Sequence, residues 1–158
     1  FLAYAGKSHF SGANNWELFK KHIDRNRKTT DFFEELKQNA LLMQNAMKRK
    51  NIRLIGEALN RDWRTRKAML PAMTTPEIEK LMHVAKRNGA FAGRVCGAGG
   101  GGSVLFLIQP QARKRLERIV KKMHMQVLPI NIAPVGLKTK FVNKSKTSPQ
   151  GIKSHKKM

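Results

Sequence analysis

Five glycines stand within six residues, Gly97-Ala98-Gly99-Gly100-Gly101-Gly102, between apolar runs at 90–96 and 103–108. Glycine loses more backbone entropy on folding than any other residue, so a loop this rich in it predicts positive φ or a backbone that approaches another group closely. A phosphate oxygen is the obvious group, because consecutive N–H groups with no side chains in the way converge on an anion as a nest. Gly97-x-Gly99-x-x-Gly102 also fits the dinucleotide fingerprint, but that fingerprint opens a helix. Here the loop leads into Val104-Leu105-Phe106-Leu107-Ile108, a short continuous apolar run of the kind found in a buried strand. A Walker-type loop would carry Lys and Ser/Thr after its last glycine, whereas Gly102 is followed by Ser103 and Val104. The pattern is therefore strand, glycine loop, strand, and its bland alternative is a loose hairpin connection, longer than the roughly two to five residues usual for such loops.

A second group of chemistry-bearing residues is cationic. Leu59, Trp63, Arg66 and Leu70 step along one helical face, so Arg66 stands where the pattern expects an apolar side chain. It needs an anionic partner. Asp62, one turn earlier, would supply a local i,i+4 pair; the sharper reading is a forked contact to the phosphate of a phosphorylated sugar, which guanidinium geometry suits. Lys7, Ser8 and His9 follow a short apolar run and Gly6, a loop position where ligands often bind and where a plain solvated turn is the alternative. His22, His83, His124 and His155 show no metal-ligand spacing with Cys96, so no protein-built metal site is expected.

The elements that must position these residues follow from periodicity. Residues 1–5 read as a strand ending at Gly6. Phe33, Leu36, Ala40, Met43 and Met47 recur at helical spacing, as do Ile52, Ile55, Leu59 and Trp63, with a break near Asn51. Thr75 and Pro76 start a further helix as N-cap and first-turn residue, Ile78, Leu81, Met82 and Ala85 are its buried stripe, and Gly89 is its stop. Pro110 opens another, with Ala112, Leu116, Ile119, Val120 and Met123 toward the core. Leu128, Ile130 and Ile132 alternate as a last strand, with Pro129 at an edge or bulge. The expected class is α+β, with helices packed on one side of the strands.

At 158 residues the chain is one ordinary domain. Its net charge of +22 matches a nucleic-acid binder, but a sugar phosphate and ATP are polyanions too. Seven lysines from Lys138 onward face no acidic residue, and removing their charge from +22 still leaves +15. Residues 139–158 are read as a basic, disordered tail that could bind nucleic acid. No helix-turn-helix, zinc or aromatic RNA-binding signature accompanies this charge. A single cysteine, Cys96, excludes an intrachain disulfide and fits a reducing cytoplasm; its apolar neighbours predict an inert buried thiol. No signal peptide and no membrane-length apolar stretch is present in the sequence.

Residues 89–102, Gly-Ala-Phe-Ala-Gly-Arg-Val-Cys-Gly-Ala-Gly-Gly-Gly-Gly, resemble the third signature of the GHMP small-molecule kinases. Tyr4-Ala5-Gly6-Lys7-Ser8-His9-Phe10-Ser11 resembles the opening of the C-terminal half in the branch of D-glycero-D-manno-heptose 7-phosphate kinases. Leu59-Asn60-Arg61-Asp62-Trp63-Arg64-Thr65-Arg66-Lys67, with Thr74-Thr75-Pro76-Glu77-Ile78, resembles that branch's central helix pair. Two positions depart from the branch, His9 for its usual Arg and Arg94 for its usual Lys. The resemblance covers residues 1–138 and implies a ferredoxin-like C-terminal domain with several packed helices. It implies transfer of the ATP γ-phosphoryl group to a sugar phosphate, with Gly97, Ala98, Gly99, Gly100, Gly101 and Gly102 as the active-site loop and Lys7, Ser8 and Arg66 toward the acceptor. The catalytic residues, and most contacts to ATP and Mg2+, are expected in an N-terminal kinase half that this chain lacks, so the chain is read as the C-terminal portion of a larger enzyme, inactive alone. The alternative is a non-catalytic basic nucleic-acid-binding module on the same fold.

Overall fold

The computed structural model describes residues 1–7, 12–97 and 99–139. Four strands form one antiparallel sheet: β1 (Leu2–Tyr4), β2 (Ala90–Val95), β3 (Ser103–Ile108) and β4 (Gln126–Leu128). Their order is β2-β3-β1-β4. With a helical crossover after β1, a β2–β3 hairpin and one helix before β4, this is the ferredoxin-like arrangement. The expected α+β class and helical packing are therefore present.

The crossover holds α1 (Gly12–Ile23), α2 (Arg27–Lys48), α3 (Ile52–Met69), a 3-10 turn (Pro71–Met73) and α4 (Pro76–Arg87); α5 (Arg113–Lys122) precedes β4. Capping explains the boundaries. Asn51 breaks the long helical stretch because its Oδ1 accepts from the N–H groups of both Arg53 and Leu54 at 3.1 Å, satisfying two donors that no turn of α3 reaches. Thr75 Oγ1 accepts from Ile78 N–H at 3.3 Å, with Pro76 in the first turn of α4. Gly89 ends that segment at φ +105°, and a Cβ there would lie 2.5 Å from the Cβ of Ala112, so both its conformation and its neighbour require glycine.

The core lies between one sheet face and α3, α4 and α5. Ala3, Val95, Val104 and Phe106 meet Trp63, Ile78, Leu81, Ala85, Leu116 and Val120, all buried. α2 packs along α3, where Asn39 Nδ2 donates to Thr65 Oγ1 at 3.3 Å in a buried contact. The outer edge of β2 is occupied by a side chain: Asn60 Nδ2 donates to the Phe91 carbonyl at 2.9 Å, and Asn60 Oδ1 accepts from Gly93 N–H at 3.3 Å. Phe91 is where the β2–β3 register slips.

Helix α1 was not read from the sequence, and three expectations need correction. Ile130 and Ile132 are not in a strand: β4 stops at Leu128, because Pro129 has no N–H to continue the ladder, and Ile132 is 95% exposed. Met47 and Ile52 fall on the helical stripes yet are exposed, since they flank the turn between α2 and α3 where no element covers them. Cys96 is partly exposed rather than buried, because it lies past the end of β2 at the loop mouth. The tail from residue 140 onward lies outside the described residues.

Candidate functional site

The glycine loop sits where the C-terminal ends of β1 and β2 meet the start of β3. Every glycine of the loop has positive φ: 71° at Gly97, 84° at Gly99, 67° at Gly100, 144° at Gly101 and 77° at Gly102. The close backbone approach is to the protein's own chain. A Cβ on Gly99 would lie 2.6 Å from Met73 Cα and 2.7 Å from its carbonyl oxygen. Gly100 N–H donates to that same Met73 oxygen at 2.9 Å. On the other side Gly102 N–H donates to Gly6 O at 2.7 Å, and Ala5 N–H returns a bond to Gly102 O at 2.8 Å. At least two loop N–H groups are thus engaged by carbonyls, so the loop is a clasp between the β1 end and the 3-10 turn before it is anything else. Ala98 lies outside the described residues.

The clasp brings Lys7 to the site, exposed and directly after Gly6. Ser8 lies outside the described residues. Arg66, on the last turn of α3, stands just before the 3-10 turn that receives the loop. Its Nε donates to Asp62 Oδ2 at 2.8 Å, the local pair that the i,i+4 spacing offers. A second arginine joins from β2: Arg94 Nη1 donates to the same oxygen at 2.6 Å, and its Nε donates to the Val95 carbonyl at 3.2 Å. Residue alternation along β2 explains how it arrives, since Val95 points into the core and Arg94 does not. The three side chains are 15%, 28% and 24% exposed for Asp62, Arg66 and Arg94. Two cations on one carboxylate leave an excess of positive charge in a half-buried setting. Arg94 and Met73 are the residues that the structure brings against the candidate residues and that sequence reasoning did not assign. The bond from Arg94 bridges 32 positions, and Met73 acts through its backbone, so no local side-chain pattern announces either.

The other flank of α3 carries Asn60, Arg64 and Lys67, which with α4 and the first half of β2 border an open cleft of about 350 Å³ floored by Trp63, Met82 and Phe106. Glu79 sits at its rim. Burial works against the charged Glu79 carboxylate, but bonds from Lys67 Nζ at 2.9 Å and Thr74 Oγ1 at 2.8 Å outweigh it and hold the carboxyl below the usual glutamate range. With the folded pKa below the unfolded value of about 4.3, this stabilisation is complete above the unfolded value and is lost as pH falls through the folded one. Glu79→Gln is therefore expected to flatten the fall of Tm as pH drops from the unfolded value of about 4.3 through the lower folded one. Thermal melts of both proteins across that range check it, and parallel curves would show that the pairing contributes nothing.

Residues 42–124, just over half of the chain, match the family model of the C-terminal region of GHMP kinases. The chain belongs to the GHMP kinase family. Within that family it is 27% identical over 127 residues to the D-glycero-alpha-D-manno-heptose 7-phosphate kinase of Campylobacter jejuni, a match covering 80% of this chain and 38% of the relative. Among solved structures, the Lin0012 protein of Listeria innocua superposes with a TM-score of 0.70 at 17% identity, covering 81% of this chain and 37% of the other. L. major mevalonate kinase, solved with R-mevalonate, gives 0.67 at 13% identity, covering 77% and 37%. These likenesses confirm the fold, and the GHMP kinase chain described here spans well under half the length of each.

Among the described residues no three His, Cys, Asp or Glu side chains converge as metal ligands, and the loop directs two of its N–H groups to Met73 and Gly6. No helix among the described residues is long and apolar enough to cross a membrane.

Proposed function

We propose that this chain is the C-terminal portion of an ATP-dependent sugar-phosphate kinase acting on the anomeric hydroxyl of a heptose 7-phosphate or a similar sugar phosphate. The observation that supports the reading is the glycine loop itself, which bonds Gly6, just before Lys7, on one side and Met73, in the 3-10 turn that follows the Arg66 end of α3, on the other. The match to a heptose 7-phosphate kinase along most of the chain favours a phosphorylated sugar over other acceptors. In the reaction the bond from the γ-phosphorus to the β-phosphate oxygen of ATP breaks, a bond to the acceptor oxygen forms, ADP leaves, and the hydroxyl proton passes to a base outside this chain. Such a transfer is mostly a matter of position and electrostatics. Gly97, Ala98, Gly99, Gly100, Gly101 and Gly102 shape the transfer site, while Arg66, Lys7 and Ser8 hold the acceptor, with ATP and Mg2+ bound mainly by an N-terminal kinase half.

The test is a kinase assay on the complete gene product with magnesium, ATP and paired sugars with and without a phosphate. Turnover confined to a phosphorylated sugar is expected, with Arg66→Ala raising its KM about tenfold or more, the loss of a charge-assisted contact. Residues 1–158 alone are expected to show negligible turnover. Activity that ignores the acceptor's phosphate would overturn the assignment. The charge of +22 favours one competing reading, a polyanion-binding module; no sugar turnover together with tight nucleic-acid binding that weakens steeply with salt would establish it instead.

A further inference from the structure

We propose that Arg66 and Arg94 together form a site for a phosphate monoester dianion, with Asp62 as the positioning residue that aims both guanidinium groups. Resting on the kinase reading, the site would take the phosphate that the acceptor already carries.

Asp62 uses a single oxygen, Oδ2, for both arginines. A carboxylate that only needed neutralising would be satisfied by one partner, and the local one, Arg66, is already 2.8 Å away. Bringing a second guanidinium from β2 leaves one positive charge uncompensated where both arginines are about three-quarters covered, an arrangement that is unfavourable until a further anion arrives. The available donors point the same way. Among the described residues nothing accepts from Arg66 Nη1 or Nη2 or from Arg94 Nη2. Three terminal amino groups on two planar forks suit a group with three oxygens and two charges better than a carboxylate with two oxygens and one. The location agrees as well: Arg94 lies two residues before Cys96, whose N–H closes the loop mouth on Ser103 O at 2.8 Å, and Arg66 lies one turn before the segment that clasps Gly99 and Gly100.

The experiment is arginine modification of the complete gene product by phenylglyoxal, followed by peptide mass spectrometry, with millimolar inorganic phosphate as the probe. Phosphate is expected to slow modification of Arg66 and Arg94 together and to leave Arg113, paired with Glu117 on an exposed face of α5, unchanged. Protection of neither, or of Arg66 alone, overturns the pair. Kinetics give a second readout. Arg94→Ala is expected to raise the KM of the phosphorylated sugar roughly ten- to a hundredfold, the equivalent of a charge-assisted bond, with the KM for ATP unmoved. Arg94→Lys should recover only part, since a point charge replaces the fork. Asp62→Asn should shift the same KM, and Asp62→Glu should restore some of it, which a purely structural role would not produce. Turnover with an acceptor KM indifferent to Arg94→Ala sinks the two-arginine site while leaving the kinase standing. Joint protection in a protein that phosphorylates no sugar removes the kinase reading and keeps the anion site.

Discussion

Replacing Gly99 with valine is expected to remove kinase turnover from the complete gene product, by about a hundredfold or more in kcat, the scale on which misplacement by an ångström acts. Two independent constraints meet at this residue. Its φ of +84° is unfavourable for any L side chain, and a Cβ would fall 2.6 Å from Met73 Cα and 2.7 Å from Met73 O. Those are backbone atoms, so no rotamer change relieves the overlap. The loop must lift off the 3-10 turn, and the Gly100 bond to Met73 goes with it. Gly97→Ala separates the two constraints: φ is +71° there too, but nothing lies within 4 Å of the added Cβ. That variant should carry only the conformational cost, about 1–2 kcal/mol, and keep most of its activity. Steady-state kinetics and thermal melts on both proteins check the pair. A Gly99→Val enzyme with full turnover would place the phosphoryl transfer away from this loop.

The largest effect on stability is expected from Ile78→Ala. Ile78 is fully buried on α4, in the cluster that joins the sheet to α3, α4 and α5. Truncation there costs about 2–5 kcal/mol, the sum of lost transfer energy and the cavity left behind. At roughly 2–4 °C per kcal/mol for a chain of this size, Tm should fall by at least several degrees in differential scanning calorimetry. Ile132→Ala, at a side chain 95% exposed, should leave Tm where it was. An equal drop in both would mean that the core does not lie between these elements.

How much of this could be read beforehand depended on whether the information was local. Thr75, Pro76 and Gly89 delimit α4 because capping and positive φ are written in single residues. The glycine loop between two strands was legible for the same reason, as was the Asp62–Arg66 pair at one helical turn. The family was legible because three segments carry its pattern in order. Helix α1 was not read, although Trp16, Phe19 and Ile23 stand at helical spacing; the three are 55–71% exposed, so the stripe they form is not a core stripe. The alternation at Leu128, Ile130 and Ile132 misled because alternation specifies a strand only where a neighbour and donors exist, and Pro129 withholds one. The clasp on Met73 and the arrival of Arg94 at Asp62 are tertiary events between distant segments. Of the candidate site, the loop and Arg66 could be named in advance, while the partners that fix them could not.

The amide of Asn60 on the rim of β2 has one more consequence, for the behaviour of the protein in a crowded solution. An open sheet ordinarily offers its outermost strands as templates on which an extended chain from another molecule adds, the first step of self-association. Here the outward-facing Phe91 carbonyl and Gly93 N–H are already matched by a side chain that reproduces a strand's own donor and acceptor. The opposite border, β4, is only three residues long and ends against Pro129. Both borders are thus poor templates for such addition, β2 because the Asn60 side chain occupies its outer edge and β4 because it is short and runs into Pro129.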